Sequence, residues 1–185
     1  MNKFYKCLVI TVLIIVPAIT SADKFSSEAS YQVCFTPGQN CAQMIIDEIN
    51  KARKQILVQM YTFTSMPIMR ALIAAKNKGV DVKILLDKSQ VCSKYSLLDF
   101  FIKNKISVQI DRVRGIAHNN VLILDGVTTI GGSFNYTDNA QKNNVENVIV
   151  IRDAVFSKRY IDNWHSRREH VDNLKGKVCC KKNPA

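Results

Sequence analysis

A succession of short apolar runs rich in β-branched residues, separated by stretches of helical spacing, limits this chain more than any other feature. "YQVCF" (31–35) is a β-prone run ended by Pro37-Gly38, and "ILVQMYTF" (56–63), "VDVKILLD" (80–87) and "ISVQID" (106–111) have the length and composition of strands. Between them Ala42, Ile45, Ile46, Ile49 and Ala52 recur at helical intervals over 39–54. Ser65 can cap a second helix, with Pro67 in its first turn and Gly79 at its end, and "YSLLDFFIKN" (95–104) reads as a third. Strands alternating with helices imply a sheet with parallel pairs, covered by helices. The pattern then changes: "VLIL", Asp125-Gly126 and "VTTIGG" form a hairpin signal, and "NVIVI" is one more strand. Val155, Phe156, Tyr160, Ile161, Trp164 and Val171 mark a final amphipathic helix from Ala154 to about Leu174. The expected architecture is α/β: a mixed, mostly parallel sheet flanked by helices.

The ends of the chain read differently. Lys3 and Lys6 precede an apolar run, Cys7 to Ile19, followed by the small residues of "TSAD"; this is the pattern of a cleaved signal peptide over 1–22, and the run is short for a membrane span. The remainder is one domain, 23–175, with a loose tail at 176–185, and the expected location is secreted or periplasmic. Of the 185 residues, 47% are hydrophobic and 22% charged, as in a globular protein and not a disordered one. Removing Lys3 and Lys6 lowers the net charge from +11 to +9, which still favours anionic partners such as nucleic acid or anionic lipid. Export permits disulfides, and Cys34 and Cys41, flanking the turn-rich "FTPGQN", are the favoured pair; the pairing of Cys92, Cys179 and Cys180 stays open. No Cys-x-x-Cys or His cluster at ligand spacing is present, so neither a metal nor another cofactor is expected.

The chemistry concentrates in "HNNVLILDGVTTIGGSFN", 118–135, within a motif region of about 113–140. Side chains two apart in a strand share a face, so His118, Asn120, Leu122 and Leu124 point one way, with the polar pair at the strand entrance. Gly131-Gly132 permits close backbone approach, as an anion requires, and Ser133 and Asn135 present a hydroxyl and an amide beyond it. Glu146 stands at the start of the next strand. Together they offer a nucleophile or base, phosphate hydrogen-bond donors and a carboxylate able to orient an imidazole. Singly, each is ordinary: a histidine at a strand end or an aspartate in a turn is more often structural. His165 and His170 fall on the polar side of the last helix and are expected to be solvated.

The combined spacing resembles the phospholipase D superfamily motif, His-x-Lys, four residues, Asp, six residues, Gly-Ser-x-Asn; His118, Asp125, Gly132, Ser133 and Asn135 match in register. The resemblance extends through "YTFTSMPIMRALIAAKNKGVDVKILLD" and "NNVENVIVI" and is greatest to short exported bacterial members with a single motif. It implies metal-free hydrolysis of phosphodiesters, in phospholipid or nucleic acid, through a phosphohistidine in a homodimer whose two histidines face each other. Carried over, His118 is nucleophile in one subunit and acid in the other, Ser133 and Asn135 hold phosphate oxygens or support the groups that do, and Glu146 hydrogen-bonds the histidine. Asp125 belongs to the catalytic motif but is expected to be structural or orienting. No other protein partner is implied.

Asn120 departs from the pattern, which has lysine there. Asparagine donates hydrogen bonds without charge, and losing one transition-state donor typically costs ~10²–10³ in rate. Val145 is a second departure, where the short nucleases carry serine. Arg114 and Lys142 are candidates to restore the charge. The alternative expectation is therefore a weakened or inactive dimer that binds anionic nucleic acid or lipid surfaces.

Overall fold

The computed structural model describes residues 22–168 and 171–173. The expected signal peptide, the tail, Cys179, Cys180 and His170 lie outside them. The first strand, β1 (Ser30–Thr36), leads into α1 (Cys41–Lys51), whose N-cap Asn40 accepts the Gln43 amide at 3.0 Å. A Cys34–Cys41 disulfide ties the two together, as the spacing suggested. Strand β2 (Gln55–Met60), α2 (Met66–Asn77) and β3 (Asp81–Asp87) make one βαβ unit, and a 3₁₀ turn (Lys88–Val91) and α3 (Leu98–Lys103) lead to β4 (Ser107–Asp111). The hairpin β5 (Asn120–Leu124) and β6 (Thr128–Gly132) follows, then a short α4 (Asp138–Lys142), β7 (Glu146–Arg152), α5 (Ala154–Arg168) and β8 (Val171–Asn173).

The eight strands form one mixed sheet in the order β1-β7-β6-β5-β2-β3-β4-β8. The expectation of a mostly parallel sheet is corrected: only β2–β3 and β3–β4 are parallel, and all other neighbours are antiparallel. A tight turn joins β5 to β6, and the longer 133–145 link with its short α4 brings β7 back antiparallel beside β6, whereas the crossovers through α2 and α3 return β3 and β4 parallel. The last helix also ends before Leu174: Val171, counted toward its apolar stripe, lies in β8, paired antiparallel with Asp111 of β4.

One sheet face packs Ile56, Val58, Ile84, Leu122, Ile130 and Val148 against Ile45 and Ile49 of α1, Ile68 and Leu72 of α2, and Phe101 of α3. The opposite face buries Leu57, Leu85, Val121 and Ile123 under Trp164 of α5, whose indole N–H donates to the Val58 carbonyl at 3.0 Å. A second lock on α5 is the Arg167 guanidinium, which donates to the buried Asp111 carboxylate, 2.9 Å from Nε.

Candidate active site

The chain leaves β4, crosses the ends of β3 and β2, and enters β5 on the far side. The crossing loop, 112–119, runs over the C-terminal ends of the parallel strands, at the place where strand order reverses; in open α/β sheets such crevices hold ligands. Three bonds fix it. Asp87, at the end of β3 and 1% exposed, accepts the Ala117 amide at 2.7 Å. Lys88 donates to the Val113 carbonyl at 2.8 Å, and Tyr61, just past β2, donates its amide to the Asn119 carbonyl at 2.8 Å. Burial alone would raise the Asp87 pKa; the amides of Ala117 and Ser89 outweigh it and hold the carboxyl below its ordinary value. Neither Asp87 nor Tyr61 was among the expected site residues.

His118 emerges from this loop exposed, its imidazole against the Tyr61 ring with centroids 4.5 Å apart. Because β5, β6, β7 and β2 alternate in direction, the entrance of β5, the exit of β6 and the entrance of β7 share that end of the sheet. Asn120, Ser133, Asn135 and Glu146 are thus brought to the same end as His118. Asn120 is buried, 8% exposed; its amide donates to the Ser133 carbonyl at 3.0 Å while its Oδ1 has no partner. Asn120 is indeed the first residue of β5, but it is covered by the Ser133 segment and not open to solvent. Asn135 likewise has a buried, unpartnered Oδ1.

Glu146 accepts from the Ser133 hydroxyl and from Asn144 Nδ2 at 2.8 Å; His118 is not among its partners in the protomer. Ser133 Oγ also accepts the Asn147 amide at 3.1 Å, so this hydroxyl links β6 to β7 and supports the carboxylate. Gly132, at φ +136°, has a reason other than an anion: a Cβ there would sit 2.2 Å from the Asn147 carbonyl oxygen.

Asp125 is not with them. It occupies the β5–β6 turn, roughly 17 Å along the strand from the histidine end by strand rise. Asp125 and Gly126, at φ 53° and 75°, form the tight turn, and the carboxylate accepts the amides of Arg53, Lys54 and Gln55 at 2.8–2.9 Å. Burial pushes its pKa up, the three amides pull it down further, and the net is a lowered value. The structure therefore does not bring Asp125 to His118: its carboxylate ties the β5–β6 turn to the segment that enters β2. Lys142, offered as a compensating cation, pairs with Asp138 at 3.1 Å. His165 is exposed on α5. Among the described residues no three His, Cys, Asp or Glu side chains gather as metal ligands.

A mixed sheet whose switch-point end presents a motif histidine with Ser-x-Asn and a downstream acid defines a class of single-motif, phosphodiester-type sites. Comparison with known proteins agrees. The family described as "Cardiolipin synthase, PLD-like domain" matches residues 45–167. "Phospholipase D" of Rickettsia bellii (strain RML369-C) is 46% identical over 142 residues, covering 77% of this chain and 71% of the relative. Among solved structures, the phospholipase D family member Nuc from Salmonella typhimurium superposes with TM-score 0.76 at 32% identity, covering 80% of this chain and all (100%) of that one. NucT from Helicobacter pylori shares the fold, with TM-score 0.74 at 22% identity over 80% of this chain and 100% of the other. The chain belongs to the phospholipase D superfamily, as a single-motif member.

Proposed function

We propose that this chain is a metal-independent phosphodiesterase, acting on phospholipid or nucleic acid, with His118 as its nucleophile. The observation that carries this reading is the convergence of His118, Asn120, Ser133, Asn135 and Glu146, from separate strands and loops, on one end of the sheet. A neutral imidazole nitrogen attacks phosphorus, forming a P–N bond as the P–O bond to the leaving group breaks. The leaving oxygen takes a proton from the partner's His118. Water then attacks phosphorus, gives its proton to that same partner imidazole, and the P–N bond breaks. An imidazole is itself a competent nucleophile, so no metal-activated water is needed. Tyr61 limits the tilt of the ring, and Asn120 and Asn135 stand at the same end of the sheet without charge. The relatives' names support the phosphodiester class.

Two copies are required because each chain has one motif histidine. A surface suited to the second copy is present. Helix α5 packs on β2, β4, β5 and β6, while on the same face of β1 and β7 Phe25, Ser26 and Ala29 border an apolar cavity beside Tyr31, Ile149 and Ile151. There Tyr31, Val33 and Phe35 are 71%, 47% and 54% exposed, and Tyr31 and Val33 pair across the strands with Ile151 and Ile149. The stripe ends at the site rim, since Phe35 pairs with Asn147 beside Glu146. An apolar patch of this kind on an edge strand favours burial against a partner. The N-terminal pattern further supports export of the enzyme.

Asn120 favours a second reading, an anion-binding dimer of low turnover, because the amide at this position carries no charge and already bonds Ser133. Hydrolysis of DNA and phosphatidylcholine vesicles by the mature protein in EDTA separates the two: turnover lost on His118→Ala supports the enzyme, and binding without turnover supports the second reading.

A further inference from the structure

A cleft leads away from Asn135 along the outside of α2. Its near part, a cavity of about 620 Å³, is lined by Thr62, Thr64, Tyr95 and Asn135. Its far part, about 500 Å³, is lined by Ser65, Arg70 and Lys142, and Thr64, Thr137 and Asp138 border both. The near part is rich in hydroxyls and amides, with the Lys142-paired Asp138 at its border; Thr62 and Thr64 make no side-chain bond among the described residues, and Asn135 Oδ1 is unpartnered. The far part has another character. Arg70, on the second turn of α2, is exposed and forms no ion pair among the described residues. Ser65 is 4% exposed, yet as the N-cap of α2 its hydroxyl makes no capping bond. Pro67 has no N–H, and the amides of Met66 and Ile68 find no acceptor among the described residues. Asp138 is the one acid of this lining, and Lys142 pairs with it.

A guanidinium, the hydroxyl of Ser65, which makes no capping bond, and the open first turn of a twelve-residue helix therefore share one cavity. None of these donors has a protein acceptor among the described residues, and a tetrahedral oxyanion accepts from all three at once. We infer that the far end of this cleft is a second phosphate subsite, for a phosphate carried by the substrate one unit away from the scissile phosphodiester. This rests on the phosphodiesterase reading and narrows it. The preferred substrate bears two phosphates joined by a short, uncharged, oxygen-rich unit that lies along Thr62 and Thr64: a sugar in nucleic acid, or glycerol in a two-phosphate lipid.

The test begins with backbone amide NMR of the mature chain titrated with inorganic phosphate. Two groups of shifts are expected, one around His118 and Ser133 and one over Met66 to Arg70. Arg70→Gln should remove the second group alone, and Arg70→Lys should retain it. Kinetics then compare pairs differing by one phosphate: a dinucleotide with and without a terminal phosphate, and cardiolipin against phosphatidylglycerol. One pair should show a roughly ten-fold preference for the second phosphate, lost in Arg70→Gln, and which pair does so names its source. Shifts around His118 only would overturn the subsite and leave the phosphodiesterase reading standing. No shifts at either place would count against both. A Met66 to Arg70 response that survives Arg70→Gln, or one with no preference in either pair, shows an adventitious ion only and overturns the subsite.

Discussion

The side-chain amide of Asn120 donates to the main-chain carbonyl of Ser133 at 3.0 Å, joining the first residue of β5 to the segment that leaves β6. The residue standing in the lysine position is thus a strut of the site, and its other polar atom, Oδ1, is buried without a partner. Asn120→Lys trades that strut for a charge. A restored cation should raise turnover at least ~10-fold, toward ~10²–10³. It should also cost about 1–3 kcal/mol in urea unfolding, because a buried hydrogen bond is lost. Unchanged turnover in an already active enzyme would mean that another cation fills the role.

Tyr61 is held by its amide bond to Asn119 and packs its ring on His118. Tyr61→Phe keeps the ring and should keep kcat. Tyr61→Ala frees the imidazole and should lower kcat about 10-fold or more with little change in KM, as expected of a group that orients the nucleophile. An unaltered kcat in Tyr61→Ala would remove Tyr61 from the account.

Asp87 and Asp125 both titrate below their ordinary values in the fold. With an unfolded value of about 3.9, each contributes stability that is complete above that pH and lost as the pH falls through the folded value. The thermal midpoint should therefore drop below about pH 4. Asp87→Asn should flatten part of this acid limb and lower stability at pH 7 by about 2 kcal/mol, through weaker bonds to the loop amides. A variant with the wild-type acid limb would contradict the assignment.

The exposed apolar stripe on β1 leads to a mutation that leaves the protomer core untouched. Val33, 47% exposed, changed to Asp places a charge in the middle of the stripe. Light scattering should show the wild type as a dimer at micromolar concentration and Val33→Asp as a monomer, with turnover falling in parallel. A fully active monomer would refute the two-histidine scheme.

Much of this arrangement was legible in the residues. The β-branched runs gave β2 to β7, the turn pair Asp125-Gly126 gave the hairpin, and the motif spacing placed His118, Ser133 and Asn135 together. What was not legible depends on neighbours distant in sequence. Asp87 ends an apolar run and carries no local sign that a loop thirty residues on will seek its carboxylate (|i−j| = 30). Val171 fits a helical stripe but is captured by the free edge of β4. Asp125 sits in motif register with His118, and only the strand between them shows that the two stand at opposite ends of the sheet. Asn120 alternates correctly with Leu122, but its burial comes from the Ser133 segment, which spacing along β5 does not report.

The central claim, a phosphodiesterase whose nucleophile is His118 and which works without a metal, is tested most directly by one comparison. Initial rates of phosphodiester hydrolysis are measured in EDTA for the wild type and for His118→Ala. His118 is exposed and makes only a ring contact with Tyr61 among the described residues, so the variant should unfold within about 0.5 kcal/mol of the wild type. The account predicts wild-type turnover that survives EDTA and falls by at least ~10³-fold in His118→Ala. Turnover that vanishes in EDTA and returns with magnesium or zinc, or that persists in His118→Ala, would contradict it.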